Sequence, residues 1–377
     1  MAGRKPSGPR LAARAGAAVA ALALAVTMPT ATAPADSGAL RESEWALTAL
    51  KAEQAWEITR GEGVTVAVIG TGVDASHPDL TGRIAKSTDV DGTRDEGNAA
   101  IQGTHAAGVI TGTGRNYAGD GLFGLAPEAR ILPFKVYRDN TALTAATARS
   151  IMDAVRQGAK VINVTVGFTR PLAALKTAVE FAADRDALIV AGAGDTGRTG
   201  NAKTYPAAYP GVLSVTAIDK KGALWPDSHH GDDVDLAAPG VDILTTARNR
   251  DYWTGSGTGF AASWVAASAA LLRAEHPKWT VSDVTRRLTD TAVQQGKATW
   301  DARYGSGVVA PAAALTASDS SRALSADRTA DAQDRTDAES SDTGPILIVL
   351  AVTVTLLVLA VIAWLLIRRN VSPTDDE

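Results

Sequence analysis

Five short runs of consecutive apolar and β-branched residues recur through the middle of the chain, at 64–69, 131–136, 161–166, 188–191 and 213–217. A strand that is apolar on alternate and intervening positions alike must be covered on both faces, which is the condition of a parallel sheet sandwiched between helices. Helix-like segments stand between the runs, at 145–157 and 171–184, the first closing at Gly158 as helix ends often do. A long alanine-rich segment at 260–275 reads as a central buried helix. The expected architecture is α/β, a three-layer sandwich with a mostly parallel central sheet and helices on both faces, over residues 36–317.

The two ends differ in kind from this middle. Arg4, Lys5, Arg10 and Arg14 precede an apolar stretch at 17–26, and small residues close it at Ala33-Pro34-Ala35. That order marks residues 1–35 as a secretory signal peptide cleaved after Ala35. A retained membrane anchor is the competing reading, disfavoured because the apolar part falls short of the roughly 20 residues a span needs. Residues 318–343 are rich in Asp, Ser, Ala, Thr and Arg with few apolar side chains, so they read as a disordered stalk reaching roughly 25 to 30 Å. Residues 344–367 carry no charge, include Trp364 near the far boundary, and run directly into Arg368-Arg369. Residues 344–367 are therefore expected to form a transmembrane helix with a cytoplasmic tail at 368–377 by the positive-inside rule, which would leave the globular part outside the plasma membrane.

The net charge of -4 gives no basic surplus for nucleic acid. The chain has no cysteine, which removes disulfides, thiol catalysis and zinc-thiolate sites together. No cofactor is expected.

Three loops carry the strongest signal: Val66-Ala67-Val68-Ile69-Gly70-Thr71-Gly72-Val73-Asp74, Gln102-Gly103-Thr104-His105-Ala106-Ala107-Gly108, and Gly257-Thr258-Gly259-Phe260-Ala261-Ala262. Between and after them stand His77-Pro78-Asp79-Leu80, Gly124-Leu125-Ala126-Pro127, Gly158-Ala159-Lys160-Val161-Ile162-Asn163-Val164, Tyr205-Pro206-Ala207-Ala208-Tyr209-Pro210-Gly211-Val212 and Ala237-Ala238-Pro239-Gly240. In this order the segments resemble the subtilisin-like serine proteases, peptidase family S8, over nearly the whole middle domain. Within that family the chain looks most like the mycosins, the membrane-anchored proteases that accompany type VII secretion systems in actinobacteria. The entry stretch 45–56 before Gly61-Glu62-Gly63-Val64, the closing Trp300-Asp301-Ala302-Arg303-Tyr304-Gly305-Ser306-Gly307-Val308-Val309 and the C-terminal apolar span carry this finer likeness. Mycosins commonly contain disulfides, and here the chain departs from them. Only 28 residues, 36–63, separate Ala35 from the first strand, too few for the folded inhibitory prodomain of many subtilisins.

The resemblance places the catalytic aspartate, histidine and serine at Gly70, Gln102 and Gly259, so every triad position is substituted. In the serine-protease mechanism a hydroxyl attacks the carbonyl, an imidazole takes its proton, and a carboxylate holds the imidazole in the right tautomer. Glycine, an amide and glycine supply none of these. The oxyanion-hole asparagine of the family corresponds to Asp195 in Gly192-Ala193-Gly194-Asp195, an anion that opposes a developing negative oxygen, although some proteases work with aspartate there. By the same resemblance the Asp195 carboxylate points at the start of the central helix and caps it.

Other residues near the old site invite a displaced triad: Asp74, His77, His105, Ser256 and Ser263. His105 is one helical turn from Gln102, about 5 Å along the axis, too far for proton transfer at about 3 Å, and the family's second histidine in this loop is structural. Ser256 reads as a turn residue. His229-His230 with Asp232, Asp233 and Asp235 is a possible metal set, read more simply as a solvated acidic loop. Asp89, Asp91, Asp95 and Glu96 match no defined calcium loop and read as surface. Val164, Thr165, Val166 and Gly167 correspond to the edge that binds substrate backbone, where a peptide adds as a strand, or else simply complete the sheet. Trp253, Phe260 and Trp264 are expected to add bulk near the former nucleophile.

The expected function is therefore that of a membrane-anchored extracytoplasmic pseudoprotease, a scaffold or assembly partner of a type VII secretion complex. An active endopeptidase with a non-standard site and a non-cleaving peptide receptor or decoy are the alternatives. Fold alone does not choose among them.

Overall fold

In the computed structural model residues 40–41, 43–86, 88–89, 101–138, 141–295 and 298–318 are described. The expected signal peptide, the stalk beyond Ser318, the apolar span and the tail lie outside these residues, as do Asp91, Asp95 and Glu96. Among the described residues no helix is long and apolar enough to cross a membrane.

The apolar runs form the centre of a seven-stranded sheet. In chain order the strands are β1 (Thr65–Gly70), β2 (Thr88–Asp89), β3 (Arg130–Lys135), β4 (Tyr137–Arg138), β5 (Thr141–Ala142), β6 (Val161–Val164), β7 (Leu188–Gly192), β8 (Val212–Ile218), β9 (Leu236–Pro239), β10 (Ile243–Thr246) and β11 (Tyr252–Gly255). The main sheet runs β2-β3-β1-β6-β7-β8-β9, and every pairing in it is parallel. β4 with β5 and β10 with β11 make separate antiparallel ribbons.

The helices are α1 (Trp45–Ala49), α2 (Ala52–Trp56), α3 (Ile101–Thr111), α4 (Thr144–Arg156), α5 (Ala173–Ala183), α6 (Thr258–Glu275), α7 (Val281–Asp290) and α8 (Pro311–Thr316). Successive side chains of a strand leave opposite faces, and the core divides accordingly. Val66, Val68, Val161, Val190 and Val215 belong to one apolar cluster with Ile110 of α3 and Val265 of α6. Ala67, Ile69, Ile162, Val164 and Ile189 belong to the other, with Ile151 of α4 and Leu175 of α5. Helix α6 is buried along most of its length, and its alanines at 261, 262, 266, 267, 269 and 270 are fully covered. Such small side chains let the helix backbone lie close to strands β6, β7 and β8, against which it packs.

Two departures from the sequence reading have local causes. The run at 161–166 leaves the sheet after Val164: Thr165 N still donates to Ile69 O, but Phe168 then pairs with Tyr205. The central helix starts at Thr258, two residues before the expected 260. Helix α7 had no counterpart in the sequence reading, although Thr280 and Asp283 form a reciprocal capping box at its start, the S/T-x-x-acid pattern that announces a helix.

The strand order reverses between β1 and β6, with β3 and β2 on one side of β1 and β7 to β9 on the other side of β6. In open parallel sheets the crevice outside the carboxyl ends of the strands at this switch point is where ligands bind.

Candidate functional site

A cavity of about 420 Å³ opens at this crevice, walled by the ends of β6 and β7 and the starts of α3 and α6. Val164, Thr165, Val166 and Gly167 line one side, while Gln102, Asp195 and Gly259 face it from three other segments. Gln102, Asp195 and Gly259, 64 to 157 positions apart in sequence, thus meet in one place because each follows or begins an element at the same edge of the sheet. Gly70, at the end of β1, is not among the lining residues. A Cβ at that position would collide with Thr165 Oγ1, whereas a Cβ on Gly259 would meet nothing within 4 Å.

Asp195 follows β7 and reaches the first turn of α6. Its Oδ1 accepts from Thr258 N at 2.9 Å and from Thr258 Oγ1 at 2.7 Å. The free N–H groups and positive dipole end of a helix favour an anion there, and this carboxylate supplies one from within the chain. Thr258 was not singled out from the sequence; its Oγ1 also accepts from Gly194 N at 3.1 Å, so it ties the β7 turn to the helix.

Gln102 and His105 both lie on α3, one turn apart. Gln102 is exposed, and its Oε1 accepts from Tyr137 Oη at 3.4 Å. His105 is 5% exposed, stacked on Trp253 with ring centroids 4.5 Å apart and planes 4° from parallel, with Phe260 6.0 Å away. Burial pushes its imidazole down to about 3, so the ring is neutral near neutral pH and is a poor proton acceptor. Its Nε2 has no hydrogen-bond partner.

The serines are committed elsewhere. Ser256 Oγ accepts from Asp242 N at 3.0 Å, which makes it a turn residue. Ser263 Oγ donates to Gly259 O at 2.8 Å and accepts from Asn163 Nδ2 at 2.9 Å. Asp74 accepts from Ser76 N and Oγ and from Asn249 N, and His77 lies in a separate buried cluster with Asp79 and Tyr252. None of these brings a nucleophile and a base together.

Trp253 and Phe260 line the cavity as expected, but Trp264 does not. It is 2% exposed and belongs to the apolar core, because a position four residues beyond Phe260 on α6 is already deep inside the sandwich. The acidic loop is paired internally: His229 Nε2 is 3.1 Å from Asp233 Oδ1, Asp232 Oδ1 accepts from Lys203 Nζ at 2.6 Å, and Asp235 Oδ2 accepts from Ser214 N at 2.8 Å. Among the described residues no group of three His, Cys, Asp or Glu side chains is placed to hold a metal ion.

Comparison with known proteins agrees with this architecture. The model of the subtilase family, Peptidase S8, matches residues 61–307. The thermophilic serine proteinase of Bacillus sp. (strain AK1) is 37% identical over 227 residues, covering 59% of this chain and 55% of that protein. The chain thus spans little more than half of that relative's length. MycP1 from Mycobacterium smegmatis superposes with a TM-score of 0.64 at 28% identity, over 73% of this chain and 84% of that one. The MycP3 protease from the type VII (ESX-3) secretion system gives 0.62 at 29%, over 77% and 92%. A parallel sheet with its crevice at the β1/β6 switch, a buried helix beginning at that crevice, and a family match across most of the described residues lead to one conclusion: the chain belongs to the subtilase family, Peptidase S8.

Proposed function

We propose that this chain is a non-hydrolysing subtilase of the mycosin type, anchored outside the plasma membrane by residues 344–367, which serves as a scaffold or assembly partner of a type VII secretion complex. The observation that carries the proposal is the Asp195 carboxylate seated on the Thr258 N–H at the start of α6. Acyl transfer needs hydrogen-bond donors aimed at a developing oxyanion, and the residue that the family resemblance sets in the donor's place is here a carboxylate bonded to the first turn of α6. Gly259 has no side-chain nucleophile, Gln102 has no basic nitrogen, and His105 is held neutral in an aromatic stack. Ser256 and Ser263 have their hydroxyls in hydrogen bonds that serve a turn and a helix. The likeness to MycP1 and MycP3 supports the secretion-system assignment.

The test has two arms. Full-length protein purified in mild detergent is expected to show no covalent labelling by a fluorophosphonate probe, and to bring integral membrane proteins of a secretion complex with it from native membranes. An adduct on Ser256 or Ser263, lost when that serine is mutated, overturns the non-hydrolysing reading. A solitary protein from native membranes overturns the scaffold reading. Combined Gly70→Asp, Gln102→His, Asp195→Asn and Gly259→Ser substitutions, with Thr165→Ala to make room at position 70, are expected to restore peptidase activity.

The open cavity supports a second reading, that the chain holds peptide segments without cutting them. Its wall at 164–167 departs from the sheet after Val164, so Val166→Arg or Gly167→Trp is expected to block such binding.

A further inference from the structure

Asp195 engages α6 through one oxygen. Oδ1 takes both hydrogen bonds from Thr258. Oδ2 faces Gly257, where a Cβ would lie 3.1 Å from that oxygen and 3.9 Å from Cδ2 of Phe260. Carboxylate and aromatic ring therefore flank the same small volume. Trp253 stands beside Phe260 with centroids 6.1 Å apart, is 40% exposed, and lines the cavity with it.

The charge of this cavity is lopsided. Among its lining residues Asp195 bears the formal charge; the remainder are glutamine, threonine, serine, glycine, apolar or aromatic side chains and the neutral His105. The cations closest to Asp195 in sequence pair outside the cavity, Lys203 with Asp232 and Arg198 with Asp227, and Arg170, next to Thr169 of the lining, is exposed and is not itself a lining residue. An anionic ligand meets the Asp195 carboxylate with no side-chain cation in the lining to offset it. A cation entering there meets a carboxylate oxygen beside the Phe260 ring, with Trp253 next to that ring on the wall, groups that together recognise ammonium and guanidinium.

We propose that the cavity binds a lysine or arginine side chain of a peptide segment, with Asp195 Oδ2 receiving the cationic head and Phe260 and Trp253 covering head and methylene stem. Apolar rings suit the stem of such a side chain as well as its charge. The proposal rests on the non-hydrolysing reading, because the segment must survive its stay in the cleft.

The experiment is fluorescence anisotropy on full-length protein in mild detergent, with short capped alanine-based peptides carrying one central lysine, arginine, norleucine or glutamate. The lysine and arginine peptides are expected to bind about tenfold more tightly than the norleucine peptide, and the glutamate peptide most weakly. Asp195→Asn keeps an oxygen for Thr258 and is expected to abolish the preference, bringing the lysine and arginine peptides to the affinity of the norleucine peptide. Trp253→Leu, which leaves the helix cap untouched, is expected to weaken both basic peptides several-fold more than the norleucine one. Equal affinity for lysine and norleucine, no binding of any peptide, or a preference that survives Asp195→Asn overturns the proposal. Mass spectrometry of the recovered peptides separates the two levels: cleaved peptide overturns the non-hydrolysing reading, whereas intact peptide without charge preference overturns this inference alone.

Discussion

Two buried histidines, His77 and His105, show how differently the fold treats polar groups inside its loops and at its cleft. His77 is 0% exposed, its Nδ1 accepts from Asp79 N at 3.1 Å, and its Nε2 lies 3.0 Å from Asp251 O. Because Nδ1 accepts, Nε2 must donate, and both ring nitrogens are satisfied in the neutral tautomer. Asp79 in turn accepts from Asn116 N at 2.8 Å, Leu122 N at 3.0 Å and Tyr252 Oη at 2.6 Å. His105, nearly as buried, has an Nε2 without a partner, as does Oδ1 of Asn163 beneath the cleft. In the His77–Asp79 cluster every one of these atoms has a partner; at His105 and Asn163, beside the cavity, hydrogen-bonding capacity is left over.

The comparison is most exposed at Asp79. Replacing it by alanine strands three buried donors, and Asp79→Ala is expected to cost about 3 to 5 kcal/mol in denaturant unfolding. A loss below 1 kcal/mol would put the two regions on the same footing.

Within the cleft, Gly70→Asp and Gly259→Ser sharpen the contrast between crowded and open positions. Crowding against Thr165 Oγ1 is expected to make Gly70→Asp destabilising by about 1 to 3 kcal/mol, and Gly259→Ser, with nothing within 4 Å, close to neutral. Equal melting temperatures for the two variants would contradict this.

Protonation separates the histidine from the acids. The imidazole of His105 is pushed down to about 3, while an unfolded histidine titrates near 6.5. Between these values the unfolded chain binds the extra proton, so His105 lowers stability as pH falls through that window, by at most about 1.4 kcal/mol per pH unit. Burial raises Glu44 to about 7 and Asp235 to about 6. Their sign is opposite: they favour the fold below the ordinary carboxylate range and lose that contribution as pH rises through their folded values. His105→Leu is therefore expected to flatten the loss of stability between about pH 6 and pH 4 relative to the parent, read by urea titration at each pH.

The smallest effect is at the helix cap. Asp195→Ala is expected to lower stability by about 1 kcal/mol and Asp195→Asn by less, read as thermal melting. If both melt like the parent, the bonds to Thr258 do not stabilise α6.

The sheet was legible because buried parallel strands are apolar throughout, and β1, β3, β6, β7 and β8 announce themselves that way. β9 was not read as a strand; Leu236–Pro239 is short and ends in proline. The end of β6 was misplaced because Val166 is buried, 5% exposed, without being paired in the sheet. Of the four residues singled out by motif likeness, Gln102, Asp195 and Gly259 line the cavity and Gly70 does not, and the reach of Asp195 to α6 followed from the same likeness. Thr258 escaped notice, as its role depends on which turn of β7 lies across from it. Trp264 was misassigned because proximity in sequence to Gly259 says nothing about which side of α6 a residue occupies.

The close approach of Thr165 to Gly70 also distinguishes position 70 from position 259 as a place to add a side chain. A serine at position 259 drops into vacant space, but an acid at position 70 meets a threonine whose hydroxyl is bonded to Ile69 O at 3.1 Å. An acid at position 70 is therefore expected to be better accommodated once position 165 is also changed, whereas a serine at position 259 asks nothing of its neighbours. One threonine hydroxyl makes the two positions unequal places to add a side chain.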